Sequence, residues 1–416
     1  MLFSPKRFLR AMLISIWFMI LVFPVMGIKI SKKAYIFLPE RVMIFGGIVF
    51  AIAIFWTWYF DRRENGIPEG GDGAFLSAIK AGAARIGGAV NILQSNKTLG
   101  HGLMAAALLF FAVIPHVTSM YQTTILALAF IYVMLALGLN IIVGIAGQLV
   151  LGYAAFYAVG AYTYALLNQY FGLGFWVCLP IAGFLAVIAG VMIGFPVLRL
   201  RGDYLAIVTL GFGEITRLLL TNLSGITGGA KGITKIPRPA LFGIDLSPDM
   251  SSIYVYYLAL LAAIITIVVV ARLRDSRVGL ALQALREDEI ASEAMGINIS
   301  STKLQAFALC SCWAGFAGVL LAARNNYINP QSFSFMDSCM ILSAVVLGGM
   351  GSIWGVVIGA MLLTLMPEYL RAFSEYRMLL FGALMVVMML FRPQGMIPPA
   401  KREYRPKALA EEGGQK

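Results

Sequence analysis

Residues 253–271 read IYVYYLALLAAIITIVVVA, an apolar run without one charged side chain. As a helix rising about 1.5 Å per residue it extends nearly the ~30 Å of a bilayer's hydrocarbon core. A second such run, LQAFALCSCWAGFAGVLLAA, occupies 304–323. Between them lies LQALREDEIASEAMGI (282–297), with Arg286, Glu287, Asp288 and Glu289 side by side. A helix that is apolar on all sides belongs in lipid or deep in a core, whereas this block belongs in water.

Similar runs recur along almost the whole chain. Of its 416 residues 60% are hydrophobic and only 12% charged, with a mean hydropathy of +0.84. A soluble domain carries about a quarter charged residues, so the composition excludes one. The spacing predicts an all-α polytopic membrane protein. Two N-terminal spans are predicted at 11–28 and 42–60, making up region 1–60. The core, 100–397, holds further segments at 101–115, 120–143, 148–168, 174–198, 204–222, 253–271, 304–323, 337–348, 352–367 and 378–391. The 337–348 segment is too short to cross alone, so a re-entrant or broken helix is expected, buried by protein rather than lipid. The polar insertion 61–99 places Phe75, Ile79, Ile86, Val90 and Leu93 at helical spacing, the pattern of an interfacial helix. Residues 398–416 form a polar tail.

The net charge of +12 clusters at span ends, which marks membrane flanks and gives no reason to expect nucleic acid. Lys6, Arg7 and Arg10 precede the first span and favour a cytoplasmic start. On that count Arg199, Arg201, the 272–303 loop and the tail fall inside. Loops 116–119 and 169–173 fall outside and carry no Lys or Arg. Lys29, Lys231, Lys235 and Arg238 run against the pattern.

Chemistry-bearing constellations are sparse. Cys178, Cys310, Cys312 and Cys339 sit in apolar segments without metal-ligand spacing, and His101 and His116 lack acidic or cysteine neighbours. No metal site, cofactor or catalytic residue is expected on this chain. The glycines of VLGGMGSIWGVVIGA (346–360) do not form a phosphate loop, because no G-x-x-x-x-G-K-[ST] occurs.

Three features carry candidate function. In GLNIIVGIAGQLVLGYAAFYAVGAY (138–162), Gly144 and Gly147 precede Gln148, and Gly152 precedes Tyr153. Small residues let helices pack closely in lipid. Equally, Gly144–Gly147–Gln148 reads as a helix interruption near mid-membrane, of the kind transporters use to build a substrate path. In LRLRGDYLAIVTLGFGEITRLLL (198–220), Glu214 and Arg217 lie one turn apart and can pair. Charge at that depth must face the bundle interior or a wet cavity, as a neutralised structural pair or as part of a pathway. The block 282–297 is rich in helix formers up to Gly296, and its four charges surround the helix. It reads as a short helix projecting into water, either a solvated hairpin or a docking element.

These motifs together resemble the permease subunits of bacterial branched-chain amino acid ABC importers, specifically the LivM type. The resemblance covers 100–397 through GLNIIVGIAGQ, LGYAAFYAVGAY, LRLRGDYLAIVTLGFGEITR, the 279–297 loop, AGFAGVLLAARNNYINPQSF, VVLGGMGSIWG and FRPQGMIP. It implies a multi-span bundle of the ABC importer permease type, with broken or re-entrant helices, in a bacterial inner membrane. It implies a LivH-like second permease, two cytoplasmic ATP-binding subunits that use the ATP and magnesium, and a periplasmic binding protein delivering leucine, isoleucine or valine. It makes 282–297 a coupling helix, with Ala284, Leu285, Arg286, Glu287, Asp288, Glu289, Ala291 and Gly296 as docking candidates. Where the family often reads TGGPNGI this chain reads TGGAKGI (227–233), placing Lys231 on a loop expected outside. Urea and short-amide importers use similar permeases. An ion-gradient transporter with Glu214 as proton carrier is the alternative of another class.

Overall fold

A computed structural model describes residues 28–31, 34–37, 110–198, 200, 202–239, 248–369, 382, 386 and 395–397. Nearly all of the predicted spans 11–28 and 378–391, the span 42–60, the interfacial helix, most of 101–115 and the tail lie outside the described residues. The chain divides into two compact units, Met1–Ser95 and Asn96–Lys416. In the first, β1 (Ile28–Ser31) pairs antiparallel with β2 (Ala34–Phe37), Ile28 opposite Phe37. This hairpin was not predicted.

The second unit is a helical bundle. Its long elements are α1 (Met120–Asn140), α2 (Tyr153–Phe171), α3 (Phe175–Val197), α4 (Asp203–Asn222) and α5 (Pro248–Arg274). Two short helices follow, α6 (Arg277–Glu287) and α7 (Glu289–Ala294). Then come α8 (Ile299–Asn325), α9 (Phe335–Gly348) and α10 (Ile353–Tyr369). Among the described residues, six helices are long and apolar enough to cross a membrane. The protein is an all-α, multi-pass membrane protein, and most predicted spans lie within a few residues of observed helices. The 148–168 prediction is shifted, since the helix there begins only at Tyr153.

Packing follows from small residues. α8 lies against α2 and α3. A Cβ at Gly160 would meet the Gly315 carbonyl oxygen at 2.2 Å, and one at Gly183 would meet the Phe316 ring. In lipid, where apolar burial gives helices no net drive to pair, such close approach supplies the dispersion energy. Hydroxyls inside spans return to the carbonyl one turn back, as Thr163 does to Val159 and Thr266 to Ala262. That satisfies them without water. The four cysteines are free. His116 shares a 3.0 Å hydrogen bond with the Tyr257 hydroxyl.

The bundle has two distinguishable ends. At one, β3 (Ile233–Thr234) pairs with β4 (Tyr327–Ile328), and Tyr327 donates to the Lys231 carbonyl. The other end carries α6 and α7. After β4 a short 3-10 turn, Pro330–Ser332, capped by Asn329, leads to Ser334, where a capping box with Asp337 starts the 14-residue α9. Phe333, just before it, packs edge-on against Tyr157 of α2, with ring centroids 5.2 Å apart. α9 is thus a short helix entered from a 3-10 turn, with Phe333 between the two lying against α2.

Candidate functional site

The link between α5 and α8 decides how the charged block is used. Ser276 caps α6, its Oγ accepting from Gly279 N at 3.2 Å. The helix was predicted to run on to Gly296, but it ends at Glu287. Asp288 takes extended dihedrals (φ −158, ψ 120), and its Oδ1 accepts from Ile290 N at 2.8 Å and Ala291 N at 3.0 Å. A carboxylate competing for backbone donors favours a cap over a helix interior, so one helix becomes two. Gly296 (φ +87) then ends α7, as its sequence position suggested.

The break sorts the four consecutive charges. Arg286 turns toward the bundle, where its Nη1 donates to the Gly144 carbonyl. Asp288 serves as the cap. Glu289 points back and binds Lys303 Nζ at 2.7 Å, a buried lysine in the second turn of α8. Glu287 alone of the four is left to face solvent without a structural task among the described contacts. Leu282 and Leu285 are buried beneath α6, so Leu285 offers no docking surface, and Ala284 is half-buried. Ala291 is exposed. What does project are Ile290 and Met295, 70% and 83% exposed, beside Glu287 and Glu293. The docking set predicted from sequence contained neither. Their signal was two large apolar residues inside an otherwise polar loop.

The Gly144–Gln148 interruption exists, but not where it was expected. α1 continues into a π-helical turn, Ile141–Ile145, a run of 26 residues in all. At about 1.5 Å per residue that is ~39 Å, enough to cross the hydrocarbon before the break. The break therefore lies at the α6–α7 end of the bundle rather than mid-span. Gly147 there takes φ +72, and a Cβ on it would stand 2.7 Å from Arg286 Cγ. Only glycine both adopts that backbone and leaves room for the arginine stem. A second turn joins the same point, Gly351 N donating to Asn140 Oδ1 at 2.9 Å. Arg286, the π-turn and the α9–α10 turn thus meet in one junction. Two polar atoms buried near it, Asn140 Nδ2 and Gln148 Oε1, find no hydrogen-bond partner among the described residues. Each such atom costs about 1–3 kcal/mol, the mark of an arrangement held by its surroundings.

α2 begins beside this junction and is tied down at once. Leu151 N donates to Thr209 Oγ1 of α4 at 3.1 Å, and Ala154 N to Ser338 Oγ of α9 at 2.9 Å. Gly152 brings the backbones together, since a Cβ there would lie 1.8 Å from the Thr209 carbonyl oxygen. Tyr153 is fully buried, with its hydroxyl over Gly138. Glu214 and Arg217 pair as predicted at 2.8 Å, and Glu214 borders a small polar cleft with Gly152, Ser334 and Ser338. Among the described residues no group of acidic, cysteine and histidine side chains is placed to hold a metal.

Residues 121–389 match the family described as branched-chain amino acid transport system / permease component. The chain belongs to that permease family. It is 47% identical to the high-affinity branched-chain amino acid transport system permease protein LivM of Escherichia coli K12, over 81% of this chain and 85% of the relative. It is 26% identical to the LivH permease protein of Salmonella typhimurium, over 64% of this chain and 91% of that protein. A probable LivM of Methanocaldococcus jannaschii is 27% identical over 61% of this chain. No solved structure matches it. The family match takes in α1–α10, including the junction and the permease's α6–α7 loop. Lys303, Asn140 and Gly351 were missed from sequence; Lys303 was the most legible, as a lone lysine just before an apolar run.

Proposed function

We propose that this chain is the LivM-type permease subunit of an ATP-driven importer for leucine, isoleucine and valine in a bacterial inner membrane. It would work with a LivH-like permease, two cytoplasmic ATP-binding subunits and a periplasmic binding protein. Family membership and the 47% identity to LivM support the permease role and the substrate class. The observation that carries the ATP-driven part is the division of labour in 277–296. Leu282, Leu285, Arg286 and Glu289 anchor the loop to the bundle, while Ile290 and Met295 project from an acidic rim. A loop clamped on one side and apolar on the other is built to receive a push and pass it inward.

The push would arrive at α7 when the ATPases close, and Arg286 would carry it to the π-turn and the α9–α10 turn. Those elements meet at one point through Arg286, Gly144, Asn140 and Gly351, so a shift of the loop would reach both turns together. ATP and its magnesium stay on the partners. Glu214 is held by Arg217 at 2.8 Å, so this reading gives it a pairing role in α4 rather than that of a proton carrier. Uptake by the reconstituted complex tests the reading. Leucine accumulation should need hydrolysable ATP and survive collapse of ion gradients. Accumulation driven by an ion gradient without ATP would overturn it.

A further inference from the structure

Three tyrosine hydroxyls of the bundle reach backbone carbonyls. Tyr164 donates to Pro237 at 2.7 Å, Tyr256 to Phe111 at 2.6 Å and Tyr257 to Ala112 at 2.8 Å. On α2, three more are buried and find no partner among the described residues, those of Tyr153, Tyr157 and Tyr162. Tyr153 stands apart, its hydroxyl over Gly138. Tyr157 and Tyr162 share a neighbour. The ring of Phe333 packs against both, its centroid 5.2 Å from that of Tyr157 and 6.2 Å from that of Tyr162. All three residues are 2% exposed. An unpaired buried hydroxyl is costly, and phenylalanine at 157 and 162 would offer the same ring without that cost. Tyrosine at both places points to a partner that comes and goes.

Phe333 is placed to give way to it. The residue lies between the 3-10 turn Pro330–Ser332 and α9, and its N–H donates to the Pro330 carbonyl at 3.2 Å. Turning this joint moves the ring without opening a long helix. Phe333 also borders the small polar cleft that Glu214, Ser334 and Ser338 line, so withdrawing its ring would join that cleft to the space beside the two tyrosines. An occupant of that space must offer apolar bulk to the rings and hydrogen-bonding groups to the hydroxyls. Water meets only the second need, and a lipid tail only the first. A zwitterionic amino acid with a branched aliphatic side chain meets both, and an isobutyl group fits where a benzyl group has been. We propose that the space Phe333 fills against Tyr157 and Tyr162 is a pocket for the transported amino acid, and that Phe333 plugs it until α9 shifts. The proposal rests on the permease reading above, which supplies the substrate class. The far end of α9 turns into the junction that Arg286 grips, where Gly351 N binds Asn140, so one helix connects that junction to the plug.

Equilibrium dialysis of labelled leucine against the complete complex, without nucleotide or binding protein, tests this. Phe333→Ala should bind leucine at least tenfold more tightly than the unaltered complex, because the plug no longer competes. Phe333→Leu, which refills most of the space, should gain little. Unchanged leucine affinity in an assembled Phe333→Ala complex, or an equal gain for aspartate, would overturn the pocket. Adding Tyr157→Phe and Tyr162→Phe to Phe333→Ala should remove most of the gain; a gain that survives them would overturn the part given to the hydroxyls. Should Phe333→Ala not assemble, Phe333→Cys in a chain whose four native cysteines are replaced keeps the question open to measurement. Benzyl methanethiosulfonate rebuilds a ring at that cysteine, so it should abolish leucine binding, and reduction should restore it. Binding indifferent to the reagent would overturn the plug. Absence of ATP-driven leucine uptake by the unaltered complex would instead overturn the permease reading on which the pocket's substrate rests.

Discussion

Removing the Arg286 side chain by Arg286→Ala should separate ATP hydrolysis from transport. The guanidinium donates to one backbone carbonyl, that of Gly144, at the end of the π-turn. A hydrogen bond from a charged donor contributes about 1.5–3 kcal/mol, and Arg286 is exposed enough for water to replace part of it. Taking the lower end, the clasped arrangement loses about 1.5 kcal/mol, or roughly tenfold in population. The loop stays attached through Leu282, Leu285 and the Glu289–Lys303 pair, so folding should be little affected. In proteoliposomes holding the full complex, leucine moved per ATP hydrolysed should fall about tenfold while nucleotide turnover persists. Arg286→Lys, which keeps the charge and the reach, should recover part of the loss. Gly147→Ala should reproduce the defect from the other side, because its Cβ meets Arg286 Cγ at 2.7 Å. Combining it with Arg286→Ala should cost less than the sum. An unchanged ratio of transport to hydrolysis in Arg286→Ala would refute the idea that force crosses at this point.

Two further outcomes follow from the ion pairs. Lys303→Met removes the buried lysine that Glu289 binds at 2.7 Å, so it should lower the complex's stability by about 3 kcal/mol, the lower end for breaking a buried pair. Lys303→Met with Glu289→Leu should recover much of this, and additive losses in calorimetry would show the pair does not hold α7 to α8. Neutralising Glu214 or Arg217 alone strands a charge in α4, so each single change should reduce membrane-integrated yield more than the double change; equal or additive losses would count against coupling.

What the sequence disclosed, and what it hid, divides along range. Apolar runs report themselves locally, so 253–271 and 304–323 read correctly as parts of α5 and α8. The Ser334–Asp337 capping box at the head of α9 is likewise a three-residue pattern. The charged block failed as a single helix because Asp288 prefers to cap, a local effect that propensity sums obscure. The fates of Arg286 and Glu289 were beyond local reading altogether. Their partners are Gly144, 142 positions away, and Lys303 on the next helix. The break at Gly144–Gln148 was legible as a break from its glycines. Its depth was not, because the π-turn carries α1 farther than a helix ending at Asn140 would reach.

The central claim is that the α6–α7 loop is the surface through which ATPase subunits act on this permease. A cysteine at Met295, the most exposed large apolar residue of that loop, tests it directly. In the assembled complex, a short bifunctional reagent should join Met295→Cys to an ATPase subunit, with a yield that changes between nucleotide-free and ATP-trapped states. Lys231→Cys, at the opposite end of the bundle, should give no such product. A cross-link to the ATPase from position 231 and none from 295 would contradict the account.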